Sequence, residues 1–215
     1  MNSKRNTVYA FDFDGTLTTH DTFLAFIRHS CGLWRFLWGM TLHAPWLVMM
    51  LLGLYPNWKA KQRVFAHFFK GMSIDDFNQR CWFFAYDYRH LFRPQGIQAI
   101  RRAQAEGAQV LVVSASVENW VERCLEAALA TAPHTGDAPT DVAAPIALCT
   151  KVEVQEGRLT GRLLGKNCYG PEKVERIKAM LPHREEYMLI AFGDSRGDKE
   201  MLDYADERHY KPFRR

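Results

Sequence analysis

The chain has 215 residues, 47% hydrophobic and 24% charged, with a formal net charge of +4. These proportions are those of an ordinary folded protein and exclude a disordered or fibrous chain; the length suits one domain, or one domain carrying an insertion. The charge forms no basic stripe pointing to nucleic acid, and five scattered cysteines (Cys31, Cys81, Cys124, Cys149, Cys168) without a C-x-x-C pair suggest neither a disulfide scaffold nor a zinc site.

The opening "MNSKRNTVYAFDFDG" is basic but runs straight into carboxylates. Without an apolar h-region it predicts no signal peptide, and free thiols fit a reducing compartment. The chain is therefore expected in the cytoplasm or facing it. Thr7–Phe13 is the first predicted strand, an apolar run that ends at Asp12, Asp14, Gly15 and Thr16. A long aromatic segment of helical appearance follows, Thr19–Phe92, too long for a simple crossover. Within it, Thr22 to Ile74 carries six Lys/Arg, four of the six tryptophans and no acid. From Ala44 to Tyr55 no side chain is polar.

After this segment the pattern alternates. Pro94–Glu106 predicts a helix with proline at its start and Gly107 at its end. Gln109–Ser114 predicts a strand, and Val117–Ala130 an amphipathic helix. Thr131–Pro145 reads as a surface loop, and Val152–Leu163 as a β-hairpin turning at Glu156-Gly157. Pro171–Leu181 predicts a helix and Tyr187–Phe192 a third buried strand. Strands alternating with helices give an α/β fold, a doubly wound, Rossmann-like parallel sheet. The expected division is a core of residues 1–18 and 93–215 with an inserted α-helical cap of residues 19–92.

Four small groups of residues carry candidate chemistry. Asp12 and Asp14, two apart on a strand end, start out on one side, and Gly15 lets the backbone turn steeply away. Such an edge is where ligands bind in open α/β sheets. Two carboxylates there repel unless a cation or proton sits between them. Asp194 and Asp198, in "GDSRGDKEML", repeat that acidic edge after the third strand, as a hard divalent cation requires. Asp194 alone would also suit an ordinary helix N-cap. Ser114 places a hydroxyl at another strand end, and Lys173 lies in the first turn of a helix.

The order Asp-x-Asp-Gly-Thr, Ser, Lys, Gly-Asp-x-x-x-Asp resembles the four motifs of the haloacid dehalogenase superfamily. The insertion directly after the first motif is similar to the phosphoserine-phosphatase-like branch with its helical cap. The resemblance implies a phosphatase in which Asp12 is the nucleophile and Asp14 the general acid and then base. It implies Mg²⁺ held by Asp12, Asp194 and the backbone carbonyl of Asp14, with Ser195 and Asp198 in support. It also implies a phosphate site made by Gly15, Thr16, Ser114, Ala115 and Lys173. Two departures stand out. Asp21 occupies a position where phosphoserine phosphatases carry a glutamate that meets the substrate ammonium. Ala115-Ser116 follows Ser114 where two glycines are expected.

The basic stretch Thr22–Ile74, which makes up most of the cap and has no acid, favours an anionic and partly apolar substrate. Its layout is similar to the hydrophobic cap of the phosphatidylglycerophosphatase C family, membrane-associated members of the same branch. Asp12 must share one site with Ser114, Lys173 and Asp194, so a single membrane span between them is excluded, and Ala44–Tyr55 is in any case too short. Two expectations remain open for residues 33–63. One is two shallow helices hinged near His43-Ala44-Pro45, dipping into the cytoplasmic face of the inner membrane. Trp34, Trp38, Trp46 and Trp58 would then lie at the interface, with Arg35, Lys59, Lys61 and Arg63 meeting headgroups. The other is a helix buried inside the cap. In both, the segment should lie near the mouth of the site at Asp12. The substrate is thus expected to be a lipid phosphate such as phosphatidylglycerophosphate, or alternatively a soluble phosphorylated metabolite such as phosphoserine. A catalytically idle, membrane-associated binding protein is the alternative of another class.

Overall fold

The computed structural model describes residues 6–131 and 143–214; most of the loop expected at Thr131–Pro145 lies outside them. The strands are β1 (Asn6–Phe11), β2 (Gln109–Val117), β3 (Ile146–Gln155), β4 (Arg158–Leu164), β5 (Tyr187–Gly193) and β6 (Glu207–Tyr210). They form one sheet in the order β4-β3-β2-β1-β5-β6, parallel throughout except where β3 meets β4. With the helices α5 (Pro94–Ala105), α6 (Glu118–Thr131), α7 (Pro171–Met180) and α8 (Lys199–Tyr204), this is the expected α/β fold. The predicted hairpin begins at Ile146 rather than Val152, because its first strand also pairs in parallel with β2.

Successive side chains of the central strands go to opposite faces. Val8, Ala10, Leu111, Val113, Leu189 and Ala191 enter one core with Ile177 and Met201. Phe11, Val110, Val112, Ile190 and Phe192 enter the other, which continues into the cap. Burial on both faces is why β1, β2 and β5 read as nearly unbroken apolar runs.

The inserted cap consists of α1 (Thr22–Cys31), α2 (Leu33–Leu51), α3 (Asn57–Phe69) and α4 (Ile74–Asp87). Its two connections to the core run side by side. Thr18 bridges Phe92, and the amide of Thr19 donates to the carbonyl of Leu91 at 2.8 Å. The far end of the cap is held by the hairpin. Glu156 and Gly157 turn it with φ of 48° and 72°, a left-handed pair suited to a two-residue turn. The hairpin bonds to the α3–α4 loop and to the start of α4: Gly71 N to Leu159 O is 2.8 Å, and Ile74 N to Gly157 O in the turn is 2.8 Å. Between these attachments Phe26 stacks on Trp120 of α6 with ring centroids 4.6 Å apart.

Two expectations for residues 33–63 need correction. α2 is one continuous helix of 19 residues and has no hinge at His43-Ala44-Pro45. Proline removes a single helical hydrogen bond, and the carbonyl it leaves, on Thr41, belongs to an exposed residue. Nor is α2 buried inside the cap: Gly39 is its one buried residue, while Trp34, Trp38, Leu42, Val48 and Leu51 are exposed. Among the described residues no helix is long and apolar enough to cross a membrane.

Candidate active site

The C-terminal ends of β1, β2 and β5 lie side by side, because β1 pairs with both other strands. The chain leaves β1 in one direction and β5 in the other, so a crevice forms at this switch point. Asp12 follows β1, Ser114 lies in β2 and Asp194 follows β5, all three buried. Directly after Asp12 the backbone makes a tight turn over Phe13–Leu17, where Gly15 has φ +82°. A Cβ on Gly15 would lie 2.5 Å from a carboxylate oxygen of Asp194, so the two acidic edges meet only because residue 15 has no side chain.

Lys173 joins the motifs. Its helix α7 starts at Pro171, which aims the side chain of this first turn beneath the strand ends. Nζ donates to Asp12 Oδ1 at 2.6 Å, to Asp198 Oδ1 at 2.6 Å and to the carbonyl of Val113 at 2.7 Å. All three of its protons are therefore used, at a residue only 2% exposed. Burial works against its charge, but Asp12 and Asp198 outweigh that and hold its pKa above the usual lysine range. The other oxygen of Asp198 accepts from the amides of Asp194 and Ser195 and from Ser195 Oγ, at 3.1, 2.9 and 2.8 Å. Burial opposes the Asp198 carboxylate, yet Lys173 and these donors hold its pKa below the usual value. Asp198 is thus saturated and fixes Lys173 in place.

Asp12 has fewer compensations. Burial raises it to about 7 against the pull of Lys173, which marks a carboxylate short of positive charge. One oxygen of Asp194 receives Arg214, while Asp194 Oδ1 is buried without any partner. Oxygens of Asp12, Asp194 and Asp198 lie within 4.8 Å of one another. The orphaned oxygen and the charge-poor Asp12 fit a divalent cation between Asp12 and Asp194. Asp198 is the weakest of the three as a ligand, because both its oxygens are occupied by donors.

The site floor opens into a cavity of about 610 Å³ under the cap. Asp12, Asp14, Gly15, Asp21, Ser114, Ala115, Lys173, Asp194, Ser195 and Asp198 all border it. Thr16 does not: its hydroxyl lies beneath the floor and donates to Asp12 Oδ2 at 2.9 Å. Asp21 sits at the rim and caps α1 through the amide of Phe23 at 2.8 Å. The cap contributes an apolar wall of Phe23, Leu24, Met40, Leu47, Met50 and Leu51. The segment sought at the mouth of the site is therefore there.

Lys61 does not face outward with Lys59 and Arg63, as the reading with two shallow helices requires. It borders the cavity, and its Nζ donates to the carbonyl of Ala115 at 2.8 Å. Burial lowers its pKa although Asp14 and Asp21 favour the charged form. The spacing of Lys61 with Val64, Phe65 and Phe68 puts it on the inner face of α3, a signal present in the sequence. Arg63 is also engaged, over the Trp46 ring at 4.2 Å.

The sequence pattern of the haloacid dehalogenase-like hydrolases matches residues 9–203. The chain belongs to this family. It is 32% identical over 208 residues to the protein CicA of Caulobacter vibrioides, covering 95% of this chain and 86% of that one. A Bordetella pertussis Tohama I protein of unknown function has a similar fold, with TM-score 0.78 and 19% identity over 95% of this chain and 89% of the other. A substrate-bound phosphoserine phosphatase gives TM-score 0.61 and 18% identity over 97% and 87% of the two chains.

Proposed function

We propose that this hydrolase cleaves phosphate monoesters by way of an aspartyl-phosphate on Asp12. The carrying observation is Lys173, held between Asp12 and Asp198 at the base of a capped cavity beside the orphaned oxygen of Asp194. In this reading the Asp12 carboxylate attacks phosphorus while Asp14 gives a proton to the departing alcohol oxygen. Asp14 then accepts a proton from the water that cleaves the acyl phosphate and regenerates Asp12. Lys173, the Ser114 hydroxyl and the backbone at Gly15 and Ala115 offset charge on the transferring group. The carboxylates of Asp12 and Asp194, with the carbonyl of Asp14, would hold Mg²⁺. When bound, that ion neutralises the repulsion between an anionic nucleophile and an anionic substrate.

For the substrate, a small phosphorylated metabolite is the better supported reading. The cavity has the volume of a small-molecule site, and Lys61 and Asp21 give its rim one cation and one anion for a polar leaving group. The fold likeness to phosphoserine phosphatase points the same way. One observation favours a second reading, a lipid phosphate taken from the cytoplasmic face of a membrane. Leu51 both lines the cavity and lies exposed, and α2 carries further exposed apolar side chains in Trp34, Trp38 and Val48.

The test is Mg²⁺-dependent phosphate release from phosphoserine, sugar phosphates and phosphatidylglycerophosphate in mixed micelles, with flotation on anionic vesicles alongside. Asp12→Asn should lower turnover by roughly four orders of magnitude or more. Wild-type turnover in that variant would rule out the aspartyl-phosphate route. Absence of any release by the native chain would leave the idle binding protein.

A further inference from the structure

Asp14 is not free to choose its own orientation. Both of its oxygens are occupied, and the donors come from opposite sides of the cap–core boundary. From the cap, Thr22, the first residue of α1, donates through its amide and its hydroxyl to Oδ1, each at 2.7 Å. From the core, Ser116 of β2 donates its hydroxyl to Oδ2 at 2.5 Å. The two hydroxyl oxygens lie 3.2 Å apart. Each has a single proton, and both protons go to the carboxylate.

The direction of the Thr22 hydroxyl bond is set by a third residue. The indole nitrogen of Trp120 can only donate, and it gives its proton to Thr22 Oγ1 at 3.2 Å. The Thr22 hydroxyl therefore accepts from the tryptophan and donates to Asp14. Trp120 is fully buried and stacks on Phe26, four residues along α1. The contact that seats the cap thus also sets the donor that holds the carboxyl. Ser116 is equally buried, with its own amide bound to Ser114 Oγ at 3.0 Å. It stands where the family resemblance leads one to expect glycine, which has no hydroxyl to offer.

We infer that Ser116 and Thr22 are positioning residues for Asp14, a two-sided clamp that aims its carboxyl at the leaving-group oxygen when the cap is seated. The inference rests on the assignment of Asp14 as general acid. A carboxyl gripped from both sides keeps one rotamer at the cavity wall, so its proton is delivered from a constant place. Without the clamp the acid would still be present, but it would occupy the productive orientation for only part of the time.

The signature of such a role lies in the leaving group. Departure of a phenolate with electron-withdrawing substituents needs little protonation, whereas departure of a basic phenolate needs a well-placed acid. The experiment compares kcat/KM for 4-nitrophenyl phosphate and phenyl phosphate in the full-length protein with Mg²⁺. Ser116→Ala, Ser116→Gly and Thr22→Val should each lower the value for phenyl phosphate by roughly 10- to 100-fold, a part of the range general acids contribute. The value for 4-nitrophenyl phosphate should change far less. Thr22→Ser, which keeps the hydroxyl, should restore the native ratio. On an Asp14→Asn background, Ser116→Ala should have no further effect on the ratio, since there is no acid left to aim.

An equal loss for both esters, or a loss that persists at full size beside Asp14→Asn, would overturn the clamp and leave Ser116 a packing residue. If the native protein releases phosphate from neither ester, the phosphatase reading fails and the clamp with it. If the native protein hydrolyses both and the variants keep its ratio, the clamp alone fails.

Discussion

Phe26, Phe65, Phe69, Phe77 and Phe84 of the cap are fully buried, whereas Trp34, Trp38 and Leu51 of α2 are 83%, 71% and 79% exposed. Both groups belong to apolar helical segments of one small domain. The phenylalanines repeat at spacings that place them on one face of α1, α3 and α4, and these faces close on each other and on Trp120. α2 is apolar on most sides, with Arg35 its one charged residue, as helices covered on every side usually are. Here only one side finds a neighbour: Gly39 lets it approach Phe68 and His67, and Met40, Leu47 and Met50 border the cavity. The difference teaches that apolar content fixes how much surface a helix offers for burial, while the neighbours fix how much is taken.

The comparison can be broken at its stronger side first. Phe26→Ala removes the ring at the centre of the inner cluster and is expected to cost about 3–5 kcal/mol, read as a shifted denaturant midpoint. A loss near zero would mean that the cap is not folded around this residue.

Next in size is the seam between the two regions. A Cβ at residue 39 would lie 2.2 Å from the Phe68 ring. Gly39→Ala gains about 1 kcal/mol of helix propensity but overpacks a tight contact at about 1–3 kcal/mol. A net loss of stability is expected. Stabilisation would show that α2 does not rest on α3 there.

On the outer side, Trp34→Gln with Trp38→Gln should leave stability within about 0.5 kcal/mol, as for other exposed sites. If the uncovered face meets lipid, the same pair should abolish flotation with anionic vesicles while phosphate release from a soluble ester persists. A large stability loss would show that the two rings are covered in the folded protein.

The smallest effect concerns pH. Both ring nitrogens of His43 are buried without partners, and His67 faces its ring at 5.0 Å. Burial lowers the His43 pKa, and His67 and Arg63 add to this. The folded chain therefore resists a proton that the unfolded chain accepts. Stability should decline as pH falls through the ordinary histidine range near 6.5, and His43→Phe should flatten that decline. An unchanged slope in the variant would assign it to other groups.

Much of the site floor was legible. Asp12, Asp14, Ser114, Lys173, Asp194 and Asp198 lie next to strand ends or a helix start, and apolar runs, glycine and proline reveal those positions locally. The place of Thr16 in the turn is legible from spacing, while only the folded turn shows its hydroxyl beneath Asp12 and away from the cavity. The inward place of Lys61 does not follow from charge composition, which ignores the face of the helix that carries it. Thr22, Ser116 and Arg214 carry no local mark of their role, since their partners lie 8, 102 and 20 residues away. The part played by the hairpin in holding the cap was hidden for the same reason.

By itself the sequence determined the α/β alternation, the place of the insertion and the acidic strand ends. Each of these follows from periodicity or from side-chain chemistry within a few residues. Only the tertiary structure decided which sides of the cap helices are covered, that α2 runs unbroken through Pro45, and that Asp14 is held from both cap and core. Those outcomes depend on which surfaces meet across long separations in the chain, and no local pattern encodes a meeting.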